Sequence, residues 1–253
     1  MRARLRFASP YAARHLAISL TVALASAALV FGLWYVAPYR QLLNVGAIFA
    51  LLLAVDVVCG PLLTLILASP KKPRRERWLD FSLVGLVQLA ALVYGLHSMW
   101  GARPVVLAFE VDRLVVVGVN GLQTEALPQA PAGLQQLPWA GVLRVGTREA
   151  ANSDEQMESA LVGLGGVTPA MRPDWWRPWS EALPGMRAAA KPLAELIARR
   201  PQDASTLQAA AAATGRPVDE LRYLPLVSSK ALDWVALCDA EMNMVGWAAV
   251  DGF

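Results

Sequence analysis

Asp56 is the residue of this sequence whose type and surroundings could most readily support chemistry or binding. It lies about 14 residues into segment 42–69, which is 28 residues long and carries no other charge. A carboxylate near the centre of a membrane costs roughly 2.5 to 3.5 kcal/mol to insert, so such a residue usually faces other protein. Asp56 is therefore the first candidate binding residue.

Three interpretations of Asp56 are open. Gln88 is expected at a similar depth, and a hydrogen bond between the two would fix helix packing. Alternatively, Asp56 helps to bind another membrane helix, because Gly60 and Pro61 follow one turn later and Pro61 loosens the backbone hydrogen bonding nearby. An aspartyl intramembrane protease would need a second carboxylate beside the first, and Asp80 lies about half a membrane lower.

Other chemistry finds little support. The two histidines, His15 and His97, are expected at opposite sides of the membrane, so no zinc or iron site with the usual ligand spacing is predicted. No cofactor motif is present. Cys59 and Cys238 lie in different parts of the chain and are not expected to form a disulfide. No catalytic residue, metal or cofactor is predicted.

The elements that would position these residues differ strongly in charge. The chain has 253 residues, of which 56% are hydrophobic and only 17% charged. Residues 1–100 hold 10 Lys and Arg against 3 acidic residues, whereas residues 101–253 hold 13 against 17. The pI near 9.1 averages two unlike halves, and it predicts no nucleic-acid partner.

The apolar excess forms three segments, 16–36, 42–69 and 79–100, each near the roughly 20 residues that cross a bilayer as a helix. A cleaved signal peptide is the alternative for the first segment. Secretory apolar regions normally run only about 7 to 15 residues, which favours an uncleaved helix.

Flanking charges predict the orientation. The basic tail 1–15 has four Arg and the loop 70–78 has five cations, which places both in the cytoplasm. An odd number of spans then exports residues 101–253 to the opposite side of the membrane. We expect a multi-pass membrane protein that also contacts membrane lipid.

The exported half predicts strands, then helices, then strands. Residues 104–119 resemble a hairpin, 153–164, 184–200 and 204–214 resemble helices, and 222–250 returns to strands. This order predicts a three-helix transmembrane bundle followed by an exported α+β domain with a mainly antiparallel sheet.

Three tryptophans within five residues, Trp175, Trp176 and Trp179, form a candidate contact surface in this domain. Exposed Trp and Arg side chains often anchor interfaces. The alternative is that the three rings fill the core or rest on lipid headgroups.

Several motifs resemble the TfpX/TfpZ (FimB-like) family of type IV pilin accessory proteins of Gram-negative bacteria. The most specific are Asp56-x-x-x-Gly60-Pro61-Leu-Leu-Thr and Gln88-x-x-Ala-Leu-x-Tyr-Gly. The others are Ser69-Pro-Lys-Lys72, Asp80, Arg103-Pro104 and Tyr223-Leu-Pro-Leu226.

The resemblance implies a non-enzymatic, chaperone-like protein of the bacterial inner membrane that assists the stability or assembly of its cognate type IV pilin. The exported α+β domain is then periplasmic. Its implied partners are the pilin's transmembrane helix and periplasmic head, together with the inner-membrane pilus assembly machinery. A face around Asp56, Gly60, Pro61 and Gln88 would contact the helix. The rivals are a membrane-tethered sensor of a periplasmic ligand, which lacks an output domain, and a membrane-embedded enzyme, which lacks paired catalytic groups.

Overall fold

The computed structural model describes residues 2–253, apart from the side chain of Ala3, and the described chain divides into two compact units. The first, which we call the helical unit, combines the chain up to Val36 with Asn44–Gly101. The second, which we call the sheet domain, combines Ala37–Leu43 with Ala102–Phe253.

Long apolar helices make up the helical unit. The helices of the first 102 residues are α1 (Arg2–Leu29), continued by a π-helical turn (Val30–Trp34), α2 (Tyr39–Leu42), α3 (Val45–Ala54), a second π-helical turn (Val55–Cys59), α4 (Gly60–Leu67) and α5 (Arg74–Ala102). Within residues 2–253, three helical spans are long and apolar enough to cross a membrane: Arg4–Trp34, Val45–Leu67 and Arg74–Ala102.

The outer surface of the helical unit is apolar, and small residues are buried along one face of α1. Leu24, Leu51 and Leu86 are each more than 60% exposed. A water-soluble helix would turn such side chains inward, so their exposure is consistent with membrane association. Along α1, the buried residues Ser19 and Ser26 flank Ala23 at helical spacing and allow close helix contact.

The sheet domain mixes strands and short helices. In chain order after α5 its elements are β1 (Pro104–Glu110), β2 (Arg113–Gly118), β3 (Leu143–Thr147), α6 (Ser153–Leu164), β4 (Trp176–Pro178), α7 (Trp179–Ala189), β5 (Lys191–Pro192), α8 (Leu193–Arg199), α9 (Ala204–Ala213), β6 (Arg222–Ser228), β7 (Trp234–Cys238) and β8 (Met244–Ala248).

The sheet is mixed, which corrects the prediction of a mainly antiparallel one. Among the described residues its order is β4-β3-β1-β2-β6-β7-β8, with β5 added beside β6. β1 pairs with β3 and β2 pairs with β6 in parallel. Parallel neighbours need long connections, and these two pairs are joined by segments containing irregular chain or several helices. Strand order along the sequence did not reveal which distant strands become neighbours.

The predicted helix over residues 184–200 is divided in two. α7 begins earlier, at Trp179, and holds Pro184 in its interior. Pro192 has no backbone N–H and disfavours helix at the preceding residue, so Lys191–Pro192 is extended and pairs with β6 as β5.

The connection between α1 and α3 is built into the sheet domain. Tyr39 and Leu42 of α2 are buried, and Gln41 Oε1 accepts a hydrogen bond from Trp247 Nε1 at 3.0 Å. Residues 37–43 are therefore an integral part of the domain that otherwise begins at Ala102.

Candidate functional site

A chain of hydrogen bonds joins three helical segments in the helical unit. Gln88 Nε2 donates to the backbone carbonyl oxygen of Asp56 at 2.8 Å. Gln88 Oε1 lies 2.7 Å from His15 Nε2, and His15 Nδ1 lies 2.6 Å from Thr64 Oγ1. We call His15, Asp56, Thr64 and Gln88 the polar cluster; it links α1, the second π-helical turn with α4, and α5.

The direction of these bonds follows from the carbonyl of Asp56. A carbonyl oxygen only accepts, so the Gln88 amide nitrogen is the donor and the amide oxygen must accept from His15. His15 then carries hydrogen on Nε2, and in the neutral ring Nδ1 accepts from the Thr64 hydroxyl. Every nitrogen of the Gln88 amide and the His15 ring thus has a defined partner in the cluster.

Pro61 explains why the carbonyl of Asp56 is available to Gln88. In a π-helical turn an N–H donates to the carbonyl five residues earlier. The residue five positions after Asp56 is Pro61, which has no N–H. The freed carbonyl needs another donor, because an unpaired backbone group in an apolar environment is costly. Gln88 supplies that donor.

Gly60 makes room for the Gln88 side chain. A Cβ atom added at Gly60 would lie 2.7 Å from Gln88 Cδ, and nearer still to the amide nitrogen and oxygen. A larger residue at position 60 would displace the amide from the Asp56 carbonyl. The predicted binding residues Asp56, Gly60, Pro61 and Gln88 are therefore brought together in one arrangement.

A cavity of about 190 Å³ opens beside the polar cluster. Asp56 forms part of its wall and is 8% exposed, and its Oδ1 atom is buried with no hydrogen-bond partner among the described residues. Apolar side chains and one glycine complete most of the lining, namely Ile18, Val22, Gly85, Leu89 and Leu92.

His15 and Thr64 were missed by the sequence analysis. His15 was assigned to a cytoplasmic tail, but α1 begins at Arg2 and carries His15 within the helix. His15, Ser19 and Val22 recur at positions i, i+4 and i+7, and all three line the cavity. This helical spacing could have indicated from the sequence that His15 shares a face of α1 with Ser19 and Val22.

The structure does not present Trp175 and Trp176 as an exposed contact surface. Each is only 2% exposed. Trp176 packs in a cluster with Val106, Val117 and Val145, and its Nε1 donates to the carbonyl of Ala170 at 3.0 Å. The core-filling alternative describes both rings, because large rings in a short segment fill the space under the sheet.

An arginine pair encloses the Trp175 ring. The guanidinium carbons of Arg148 and Arg172 lie 4.4 and 4.9 Å from the ring centroid. Arg148 also holds Glu155 of α6 through two hydrogen bonds of 2.8 and 2.5 Å. These hydrogen bonds, together with one from the Ala151 N–H, lower the pKa of Glu155 to about 2, so the pair is ionised at neutral pH.

Trp179 is half-buried and borders a second cavity of about 210 Å³ in the sheet domain. Tyr39 and Arg144 share this lining. Burial raises the pKa of Tyr39 to about 12, while the charge of Arg144 partly opposes the shift. Trp179 is accordingly the half-buried member of the tryptophan group, whereas Trp175 and Trp176 are buried.

Comparison with known proteins identifies relatives along the whole chain. It is 36% identical over 254 residues to "Fimbrial assembly protein, serogroup I" of Dichelobacter nodosus, covering 99% of this chain and 98% of the relative. The serogroup E1 protein of the same organism is 35% identical with the same coverage. This chain belongs to the FimB family of fimbrial assembly proteins.

The FimB family model, "Fimbrial assembly protein FimB", matches residues 3–44. These include most of α1, with His15, and all of α2, with the buried Tyr39. A third relative, for serogroups C1 and C2, is 40% identical over 127 residues, which is 50% of this chain and 97% of that protein. No solved structure matches this chain.

A larger cleft of about 800 Å³ lies in the sheet domain of this FimB-family chain. Its lining includes Glu110 and Thr147, the last residues of the parallel strands β1 and β3. Carboxyl ends of neighbouring parallel strands commonly border ligand crevices. Val111, at the hairpin tip, also lines the cleft; it is 82% exposed and has φ of 57°.

One wall of the cleft is α6, which contributes Gln156, Ser159 and Ala160. No described residue of α6 is buried. Its apolar residues Met157, Leu161 and Leu164 are exposed at positions i, i+4 and i+7 of the helix. A helix normally buries such a stripe, so this one is a candidate contact surface.

Neither a cluster of metal ligands nor a disulfide is found in the described part of the chain. Within residues 2–253, no group of three His, Cys, Asp or Glu could hold a metal ion. Cys59 and Cys238 are both free in this structure. Burial raises the pKa of the Cys238 thiol to about 12, which keeps it protonated.

Proposed function

We propose that this protein is a non-enzymatic accessory factor in the bacterial inner membrane that binds its cognate type IV pilin and assists its stability or assembly. The names of its full-length relatives assign them to fimbrial assembly, and family membership makes the same process the best candidate here. The finer proposal, a chaperone-like contact with pilin, draws its support from the helical unit.

The observation that carries the proposal is the partly satisfied polar cluster in an apolar unit. Three helices of membrane length hold Asp56 in the wall of a cavity, with one carboxylate oxygen unpartnered in the described structure. Polar residues within membrane helices generally face protein and mediate association. A waiting pilin subunit would present an apolar helix to this surface.

The course of the chain supports three membrane spans with residues 37–43 and the chain after Gly101 on the same side of the membrane. The connection 37–43 and the chain after Gly101 belong to the same compact unit, which supports our assignment of the ends of α1 and α5 that lead into it to one side of the membrane. The basic tail and loop 70–78 fall on the other side, as the positive-inside rule favours for cytoplasm. We therefore place the sheet domain in the periplasm.

The sheet domain would meet the pilin head at its cleft. Val111 is about 20 Å along β1 from Pro104, where the chain enters the sheet after α5. The cleft and the exposed stripe of α6 thus lie towards the end of the strand that is remote from this entry. We assign head recognition to the stripe Met157, Leu161 and Leu164, in place of Trp175 and Trp176.

Co-purification of pilin from native membranes tests both contacts. We expect Asp56→Ala and a Leu161→Asn/Leu164→Asn double variant each to recover less pilin than the unmodified chain. Val58→Ala, an exposed position in the same π-helical turn as Asp56, and Leu232→Asn, an exposed position elsewhere in the sheet domain, are the matched controls.

Pilin recovery and surface pili should fall together in these variants while the controls stay normal. Failure of the unmodified chain to recover pilin would contradict the proposed function. Normal pilin recovery and normal piliation in both test variants would contradict the two proposed contacts.

A further inference from the structure

We infer that the cavity beside Asp56 receives a single hydrogen-bond-donor group from a partner membrane helix, with the Asp56 carboxylate as its acceptor. This inference rests on the proposed function and specifies the chemistry of that contact. Three observations support it: the unpartnered oxygen of Asp56, the volume of the cavity and the exposed apolar residues of the cavity lining.

One polar atom of the polar cluster has no hydrogen-bond partner among the described residues. Gln88 uses its amide nitrogen on the Asp56 carbonyl and its amide oxygen on His15, and both ring nitrogens of His15 are engaged. Asp56 Oδ1, in contrast, is buried without a partner among the described residues. A carboxyl group keeps at least one accepting oxygen whether it is ionised or protonated, so the missing group is a donor such as an ammonium, amide or hydroxyl.

Size limits what can enter the cavity. The cavity holds about 190 Å³. It can therefore receive one side chain or terminal group that projects from a partner helix lying across it.

The cavity lining includes groups that suit contact with an apolar helix. Ile18 is 64% exposed and Leu89 is 57% exposed. Gly85 also lines the cavity, and no described atom comes within 4 Å of a Cβ added there. A partner backbone can approach closely over this glycine, as small residues allow in membrane helix pairs.

Gly85→Leu tests whether the partner needs the space in the cavity, and Asp56→Leu tests whether it needs the Asp56 carboxyl group. Gly85→Leu fills the cavity without changing the carboxylate, and Asp56→Leu removes the acceptor from an apolar surrounding. We expect each to weaken pilin binding by about three- to eighteen-fold, the range of hydrogen bonds between membrane helices. Val58→Leu, outside the cavity lining, should bind as the unmodified chain does.

The experiment uses the full chain and its cognate pilin in lipid nanodiscs, with a photoreactive residue at position 89. We expect crosslinks to one region of the pilin membrane helix, next to a residue with a donor group. Replacing that donor by Leu should weaken binding of the unmodified chain, but should add little to Asp56→Leu in a double-mutant cycle.

The outcomes distinguish this inference from the proposed function. If pilin binds and both Gly85→Leu and Asp56→Leu retain full affinity with native thermal unfolding, the donor contact is wrong and the proposed function stands. Crosslinks to lipid alone with pilin bound elsewhere would also overturn it. If the unmodified chain binds no pilin, the proposed function itself fails.

Discussion

The side-chain amide of Gln88 donates to the backbone carbonyl of Asp56 at 2.8 Å, across two segments that are 32 residues apart in sequence. This contact compensates for the N–H that Pro61 lacks. It also turns the amide oxygen of Gln88 towards His15. The carbonyl of Asp56 therefore helps to align the polar cluster, and the Oδ1 atom of its carboxyl group is left for a partner.

Gly60→Ala should destabilise the helical unit by about 1 to 3 kcal/mol, because the new methyl group would overlap the Gln88 amide. Thermal unfolding of the purified chain in detergent measures the effect. Gly46→Ala in α3 is the control, since no described atom lies within 4 Å of a Cβ there. Equal unfolding temperatures of the two variants would contradict this role of Gly60.

Glu155→Gln should make opening of α6 more frequent, because the Arg148–Glu155 ion pair joins α6 to the rest of the sheet domain. Hydrogen exchange of α6 amides should be faster than in the unmodified chain. Glu158→Gln, an exposed position on the same helix, should leave exchange unchanged.

The Glu155 effect should also depend on pH. Since the folded pKa is lowered from 4.5 to about 2, the stabilisation is fully present above pH 4.5 and is lost as the pH falls towards 2. The difference between Glu155→Gln and the unmodified chain should therefore be constant from pH 5 to 8 and shrink in acid. A difference that grows as the pH falls would contradict the assignment.

Trp176→Ala should destabilise the sheet domain by about 3 to 5 kcal/mol, because it empties a buried site and removes the hydrogen bond to Ala170. Denaturant unfolding of the full chain, followed by tryptophan fluorescence, measures it. Loss of pilin binding in this variant would reflect unfolding. A variant with native stability and reduced binding would instead support the surface role that burial argues against.

Val111→Gly should stabilise the sheet domain by up to about 1 kcal/mol. Val111 has a φ of 57°, which is costly for a β-branched residue and free for glycine. Asp112→Gly is the control, because its backbone is not in that region and glycine there only increases the entropy of the unfolded chain. A lower unfolding temperature for Val111→Gly than for the unmodified chain would show that the turn is not strained.

Cys238 should resist alkylation at pH 8 in the folded chain, because burial raises the pKa of its thiol to about 12 and little thiolate is present. Mass spectrometry after iodoacetamide treatment checks this, and unfolding in guanidinium should expose the thiol. A cysteine introduced at the exposed position 153 provides the reactive control. Rapid labelling of Cys238 in the native chain would show that β7 opens readily.

The sequence alone determined the features that depend on local composition. Uninterrupted apolar runs specify helices of membrane length whatever their neighbours are, and a polar residue within such a run must meet other protein. Asp56, Gly60, Pro61 and Gln88 could be singled out in this way, because each departs from its apolar surroundings.

Only the tertiary structure decided the contacts between distant segments. His15 bonds to both Gln88 and Thr64 because the helices pack together, and Tyr39 and Leu42 of α2 are buried in a domain that otherwise begins about 60 residues later. The parallel pairings of β1 with β3 and of β2 with β6 depend on long connections that local patterns do not encode. Burial of Trp175 and Trp176 was likewise decided by the sheet above them, because a tryptophan is equally suited to a core and to an interface.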